Sequence, residues 1–189
     1  MTNLLHTAQA FYRVSQDTLT PVKVAVENAL AARFPDTQTA SIKTVSVIDK
    51  QVKVVIHLDQ GNNNSKFRTF FDNATANGVK YDVIGLSYYP YWLGTDYTST
   101  ITNLESNLKD MNSRYNKEVM VVEVGGDYTL VQNTYDMLIA VIKAVKSVPN
   151  NKGLGVIYWE PEGEKSWSGY QLNAWQSDGK PSPALDAFK

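Results

Sequence analysis

From about residue 52 onward, short apolar runs alternate with stretches of helical periodicity, four times in succession. That rhythm narrows the possible folds more than any other property of the chain. Residues 53–58 read as a strand, 59–64 as a loop and 66–77 as a helix that Gly78 stops. The second pair is a strand at 83–88 and a helix at 99–115, separated by an aromatic loop at 89–98. Within that helix Ile101, Leu104, Leu108 and Met111 fall at helical spacing. The third pair is 119–124 and 130–148; the fourth strand is 154–159, followed by a long loop over 160–178 and a short helix at 184–188. Strands joined through helices pair in parallel with right-handed crossovers, so the expected class is α/β.

Residues 1–50 follow a different pattern. A helix to about residue 18 and a second over 21–33 are separated at Pro21, with Thr20 as the cap of the second. A turn at 35–38 leads to a strand at 41–48. Its two-residue gap to the next strand predicts an antiparallel hairpin. The chain therefore divides into a segment 1–50, helix–helix–strand, and a repeating α/β part 51–189.

Composition removes several function classes. A net charge of −1 gives no electrostatic basis for binding nucleic acid or an anionic membrane. With no cysteine there is neither a disulfide nor a thiolate metal site, and two histidines, His6 and His57, make a histidine zinc site improbable. No apolar run approaches the length of a membrane span. Residues 1–10 lack the basic start and continuous apolar run of a secretion signal, so the compartment stays open.

Most of the tyrosines and tryptophans lie after residue 80. They concentrate where the apolar runs end: Ser87-Tyr88-Tyr89-Pro90-Tyr91-Trp92 after the second, Trp159-Glu160 after the fourth, and the carboxylate Glu123 at the end of the third. Buried parallel strands deliver their last side chains to a ligand face in this way. Aromatic platforms beside an isolated carboxylate are most often met in carbohydrate cleavage.

Four strings carry a family resemblance: Val54-Val55-Ile56-His57-Leu58-Asp59; Gly85-Leu86-Ser87-Tyr88-Tyr89-Pro90-Tyr91-Trp92; Arg114-Tyr115-Asn116-Lys117-Glu118-Val119-Met120-Val121-Val122-Glu123; and Gly155-Val156-Ile157-Tyr158-Trp159-Glu160-Pro161. In that order, over residues 52–189, the chain resembles glycoside hydrolase family 53, the endo-β-1,4-galactanases. The resemblance implies the last four units of an eight-stranded (β/α) TIM barrel. It also implies a retaining mechanism with Glu123 in the nucleophile position, and galactan or arabinogalactan as substrate. Members are typically secreted, and bacterial members can bind calcium near the late loops, though no acidic cluster here assigns its ligands. Two departures stand beside it. The family's acid/base glutamate lies in a Gly-Asn-Glu motif, and no such tripeptide occurs in this chain. After Glu123 the sequence reads Val124-Gly125-Gly126-Asp127, where the family usually has Gly and then an aromatic. Residues 1–50 match no part of the family at this level, so the expected origin is a truncated or chimeric chain, engineered or natural.

Retaining hydrolysis needs two carboxyls, one to attack and one to protonate the leaving oxygen. Glu123 supplies one. Glu160, at the end of the neighbouring strand, is the other carboxylate near it, with a binding role preferred over an improvised acid. His57 and Asp59 divide between substrate contact and pocket wall. Tyr89, Tyr91, Trp92, Trp159 and Trp167 are candidates to stack on sugars, while Tyr88 and Tyr158, inside strands, are expected in the core. Asn62-Asn63-Asn64 reads as a plain turn. Two functions remain open: a galactanase-like hydrolase, or a structural or binding α/β module without turnover.

Four strand–helix units cannot close a barrel, and they leave two strand edges and an apolar face uncovered. Residues 1–50, with Phe11, Val14, Leu30 and Phe34 among their apolar side chains, are expected to cover the open side; a homodimer through the half-barrel is the alternative. Deleting residues 1–50 is accordingly expected to give insoluble or aggregated protein. A fragment 51–189 that sediments as a soluble monomer and melts cooperatively would remove that covering role.

Overall fold

In a computed structural model, residues 53–160 and 163–189 are described; the segment expected to cover the open side lies outside them. Strand β1 is Val55–Leu58 and helix α1 is Asn64–Ala76. Strand β2, Val83–Tyr88, is followed by short 3-10 turns at Pro90–Leu93 and Tyr97–Ser99, then by α2, Ile101–Tyr115. Strand β3 is Glu118–Val124, α3 is Val131–Lys146, and β4 is Gly153–Tyr158. A one-turn helix α4, Lys165–Ser168, and a 3-10 turn at Pro183–Phe188 complete the described chain.

The four strands form one sheet in the order β1-β2-β3-β4, every neighbouring pair parallel. Alternating with helices in this order, they make a partial (β/α) barrel. Parallel strands covered on both faces should be apolar throughout. Strand β2 comes nearest that standard: all six of its residues are buried, and Ser87 alone is polar. Behind it, Phe67 and Phe71 of α1, Leu104, Leu108 and Met111 of α2, and Leu138 and Val141 of α3 form one continuous core. Edge strand β4 is the least covered: Leu154 and Ile157 each remain 43% exposed.

Local chemistry explains where the elements start. Helix α1 begins two residues earlier than its hydrophobic pattern indicates, because the Asn63 side chain accepts from the Lys66 backbone N–H at 3.1 Å and caps it. The triple asparagine is therefore part of a helix cap. Tyr88 and Tyr158 are buried as expected, and both hydroxyls find partners. Tyr88 donates to the Tyr97 carbonyl at 3.2 Å, and Tyr158 to the carbonyls of Leu172 at 3.0 Å and Asn173 at 3.2 Å. The second contact pins the loop after α4 against the end of the sheet.

Outside the sheet, α1 and α2 are clasped by charge. Arg68 donates twice to Asp110, at 2.8 and 2.6 Å, and Arg114 donates twice to Asp72, at 3.1 and 2.9 Å. The Tyr115 hydroxyl adds a third donor to Asp72 at 2.8 Å.

The turn from α3 into β4 admits no side chain at Gly153. A Cβ there would lie 2.0 Å from the Val145 carbonyl oxygen, which belongs to the backbone and cannot swing aside. Gly153→Ala is expected to destabilise the protein by about 1–3 kcal/mol, in line with other overpacking substitutions. Chemical denaturation of the two chains checks this; equal midpoints would show that the turn opens freely.

Candidate active site

Glu123 is the next-to-last residue of β3, and an irregularity in pairing decides what stands beside it. Strands β2 and β3 run in register from Ile84↔Val119 to Leu86↔Val121, and then Ser87 pairs with Glu123, so that Val122 is passed over. One extra residue re-aims everything after it, as strand bulges do beside functional sites. The slip sets Glu123 level with Ser87 and Val124 level with Tyr88. Gly85 makes room for the bulged residue, since a Cβ there would be 3.0 Å from Val122 Cγ1.

The Glu123 carboxylate is held by two hydroxyls. Ser87 Oγ donates to Oε2 at 3.2 Å, and the Tyr89 hydroxyl donates to the same oxygen at 3.4 Å. On the other side of Ser87 is the His57 ring, whose Nε2 is hydrogen-bonded to Ser87 Oγ, while its Nδ1 stands 3.8 Å from Glu123 Oε1. His57 and Ser87 are each 3% exposed, which sets His57 behind the carboxylate, away from the solvent-facing rim. Tyr170, from the loop after α4, adds to the rise that burial imposes on the Tyr89 hydroxyl. The Tyr89 ring lies over Gly125, where a Cβ would be 3.3 Å from Tyr89 Cε1 and 3.0 Å from the Leu172 carbonyl. That close approach accounts for a glycine immediately after the strand.

Burial dominates the electrostatics. It raises the Glu123 carboxyl above its usual range; Ser87 and Tyr89 pull it back by donating to the charged form, and the charge of Asp59 adds to the rise. Burial pushes His57 down from 6.5 to about 4, against the pull of Asp59, so the ring is neutral at pH 7. Tyr89 is pushed far above an ordinary tyrosine by burial, then by Tyr170 and Glu123, and stays a hydrogen-bond donor throughout the physiological range.

The remaining predicted residues spread along the same rim. Asp59, just past β1, is ion-paired with Lys66. Tyr91 and Trp92 lie in the 3-10 turn after β2, 41% and 62% exposed, their rings edge to face with centroids 4.8 Å apart. Such exposure rules out core packing for both. Trp159 follows β4, partly buried, its backbone N–H donating to the Val124 carbonyl at 3.0 Å. Glu160 is exposed and holds a left-handed backbone, φ 49°, which a non-glycine residue adopts at a cost. The Tyr170 hydroxyl senses the charge of both Glu123 and Glu160. Trp167 falls in α4. Among the described residues no group of three or more His, Asp or Glu could hold a metal ion. None of the described helices is long and apolar enough to cross a membrane.

Sequence reasoning did not single out Ser87, Tyr170 or Gly125. Ser87 carried a signal, being the one polar residue within an otherwise apolar strand. Tyr170 carried none, because it reaches the site from a loop more than forty positions beyond Glu123 in the chain.

Comparison with known proteins places these features in context. The model of Glycosyl hydrolase family 53 matches residues 29–133 and 129–188, beginning inside the segment that the sequence sets apart. An "Uncharacterized protein in bgaB 5'region" of Niallia circulans is 33% identical over 169 residues, covering 76% of this chain and 45% of that protein. The arabinogalactan endo-beta-1,4-galactanase of Cellvibrio japonicus is 33% identical over 132 residues, covering 59% of this chain and 33% of its own length. Among solved structures, the GH53 catalytic domain of Ignisphaera aggregans superposes with a TM-score of 0.69 at 23% identity, over 80% of this chain and 50% of that one. The chain thus spans between a third and a half of the length of these relatives.

His57 makes stability pH-dependent in a defined direction. Its folded pKa of about 4 lies below the unfolded 6.5, so between those values the unfolded chain holds more protons. Unfolding free energy therefore falls as pH is lowered through that window, by an upper limit of roughly 3 kcal/mol. The raised Glu123 acts in the opposite sense and offsets part of this. His57→Gln, which removes the titrating ring, is expected to flatten the pH dependence between about pH 6.5 and 4. Parallel slopes for the two chains in urea titrations would show that the ring is not held neutral.

Proposed function

The chain belongs to glycosyl hydrolase family 53, and from that membership we propose that it carries the nucleophile half of a retaining galactan-hydrolase site, with Glu123 as the attacking carboxylate. The observation that carries this reading is the pair of neutral donors, Ser87 and Tyr89, converging on Glu123 Oε2. They favour the ionised form and fix the carboxylate plane, leaving Oε1 as the attacking oxygen. In the first step Oε1 bonds to the anomeric carbon while the glycosidic bond breaks and its electron pair leaves with the departing oxygen. Water then cleaves the glycosyl ester. Galactan or arabinogalactan is the proposed substrate; the galactanase names of the relatives support it, as do exposed Tyr91 and Trp92 along the rim. Trp159, Asp59 and Glu160 complete the proposed binding face.

The departing oxygen of a natural galactan is a poor leaving group until it is protonated. No Gly-Asn-Glu occurs in the 189 residues. We therefore propose that this chain by itself turns over polysaccharide negligibly. Loss of general-acid assistance typically costs 10²–10⁴-fold. The second reading, a galactan-binding module without any chemistry, draws on the same missing motif.

An aryl galactobioside with a strongly acidic phenol separates the two, since such a leaving group needs no proton. A 2-fluoro derivative of that compound is expected to esterify Glu123, detectable by mass spectrometry of the peptide, and Glu123→Gln is expected to abolish the label. Hydrolysis of β-1,4-galactan is expected to be at least a hundredfold below that of a full-length family enzyme. Absence of the ester on the wild-type chain would favour the binding module. Galactan turnover within about tenfold of a full-length enzyme, lost in Glu123→Gln, would overturn the proposed inactivity.

A further inference from the structure

We propose that His57 is a positioning residue for Glu123, acting through Ser87, and that it does so as the neutral tautomer with its hydrogen on Nε2. The significance of this for catalysis rests on the reading of Glu123 as nucleophile.

The available hydrogen atoms decide the arrangement. A neutral imidazole has one N–H, Ser87 has one hydroxyl hydrogen, and an ionised Glu123 has none. Nε2 is hydrogen-bonded to Ser87 Oγ, and Ser87 Oγ lies 3.2 Å from Glu123 Oε2. Nδ1 lies 3.8 Å from Oε1, beyond hydrogen-bond reach, and has no partner among the described residues although it is buried. With the hydrogen on Nε2, the ring donates to Ser87 and Ser87 donates to Glu123. Every hydrogen is used, and the orphan is a lone pair. With the hydrogen on Nδ1, Nε2 must take the Ser87 hydrogen. Glu123 then loses a donor, and a buried N–H is left without an acceptor. Orphaned buried N–H groups are rarer than under-satisfied acceptors, and a carboxylate bond is among the stronger ones to lose.

His57 therefore makes Ser87 a one-way donor. A serine hydroxyl alone rotates and can turn its hydrogen away from the carboxylate; one that already accepts from His57 Nε2–H has its hydrogen directed at Oε2. The effect opposes burial, which otherwise favours the protonated, non-nucleophilic form of Glu123. The other groups facing Glu123 do not duplicate it. Asp59, from the end of β1, raises the carboxyl and is itself paired with Lys66. Tyr89 and Tyr170 are neutral hydroxyls pushed above their usual range, and the charge of Glu160 adds to the rise of Tyr170.

The test uses the full 189-residue chain. Nitrogen-15 NMR of histidine-labelled protein, with His6→Gln assigning the second ring, is expected to show His57 at pH 7 as a neutral ring with Nε2 bearing hydrogen and Nδ1 bare. A hydrogen on Nδ1, or a charged ring, overturns the proposal without any variant of the site. Carbon-13 titration of the Glu123 carboxyl supplies the second arm. Ser87→Ala is expected to raise its midpoint by roughly one unit. His57→Asn, whose amide stands in for Nδ1, is expected to do the same. His57→Gln, whose amide donates from the Nε2 position, is expected to restore the wild-type midpoint within a few tenths of a unit. An Asn variant equal to wild type, or a Gln variant equal to Asn, overturns the relay. Labelling by the 2-fluoro glycoside reports separately on the nucleophile: its absence beside the expected tautomer and midpoints would remove the catalytic meaning and leave the relay in place.

Discussion

The pairing of β2 with β3, and its one-residue slip at Val122, is the contact on which the candidate site depends. Side chains on neighbouring parallel strands face the same way when their residues are paired. Had the register continued unbroken, Ser87 would have faced Val122, and Glu123 would have stood beside buried Tyr88. The bulge brings a carboxylate and a hydroxyl together at the end of two strands that are otherwise entirely apolar there. It is held in place by the lack of a side chain at Gly85 and by the core beneath β2. The ladder, the glycine and the packed helices are thus joint causes of one hydrogen bond.

From that bond the site extends in two directions. Towards β1 it runs to His57, sealed from solvent. Towards the loops it runs to Tyr89 and on to Tyr170, with Gly125 allowing the close stacking. Both directions present neutral groups to Glu123, and neutral donors would suit the proposed role, in which the carboxylate is charged when it attacks and uncharged once esterified. A cation in the same place would hold the charge too firmly for the second state. The buried, uncharged His57 is consistent with that logic, since burial removes the positive charge a histidine would otherwise bring.

Much of the fold was legible in the residues. Strands β2, β3 and β4 come within a residue of their predicted limits because apolar runs bounded by Gly, Pro and Asn leave few alternatives. Helix α4 forms where the sequence predicts loop: a single turn is too short to show periodicity, and it is held by a cap in which Glu164 accepts from the Ser166 N–H. Glu123 and the rim residues were visible as strand-end chemistry. Their relation was not. A bulge leaves no mark in a run such as Val121-Val122-Glu123-Val124, where alternation is already absent, so the level at which Glu123 meets β2 had to be seen in three dimensions. Tyr170 reaches its position through the Tyr158 contacts that pin its loop, and those contacts are invisible to any local pattern.

The clasp between α1 and α2 introduces a second variable into the molecule's behaviour. The sheet and its core are held by burial, which dissolved ions barely affect, whereas Arg68–Asp110 and Arg114–Asp72 sit at the surface where counterions reach them. Raising ionic strength therefore weakens these two surface pairs, while Phe67, Phe71, Leu104 and Leu108 keep the same helices packed in the core. One strand–helix unit thus carries two kinds of attachment, a surface pair that counterions screen and a buried core that they barely reach, and the aim of the carboxylate depends on the second.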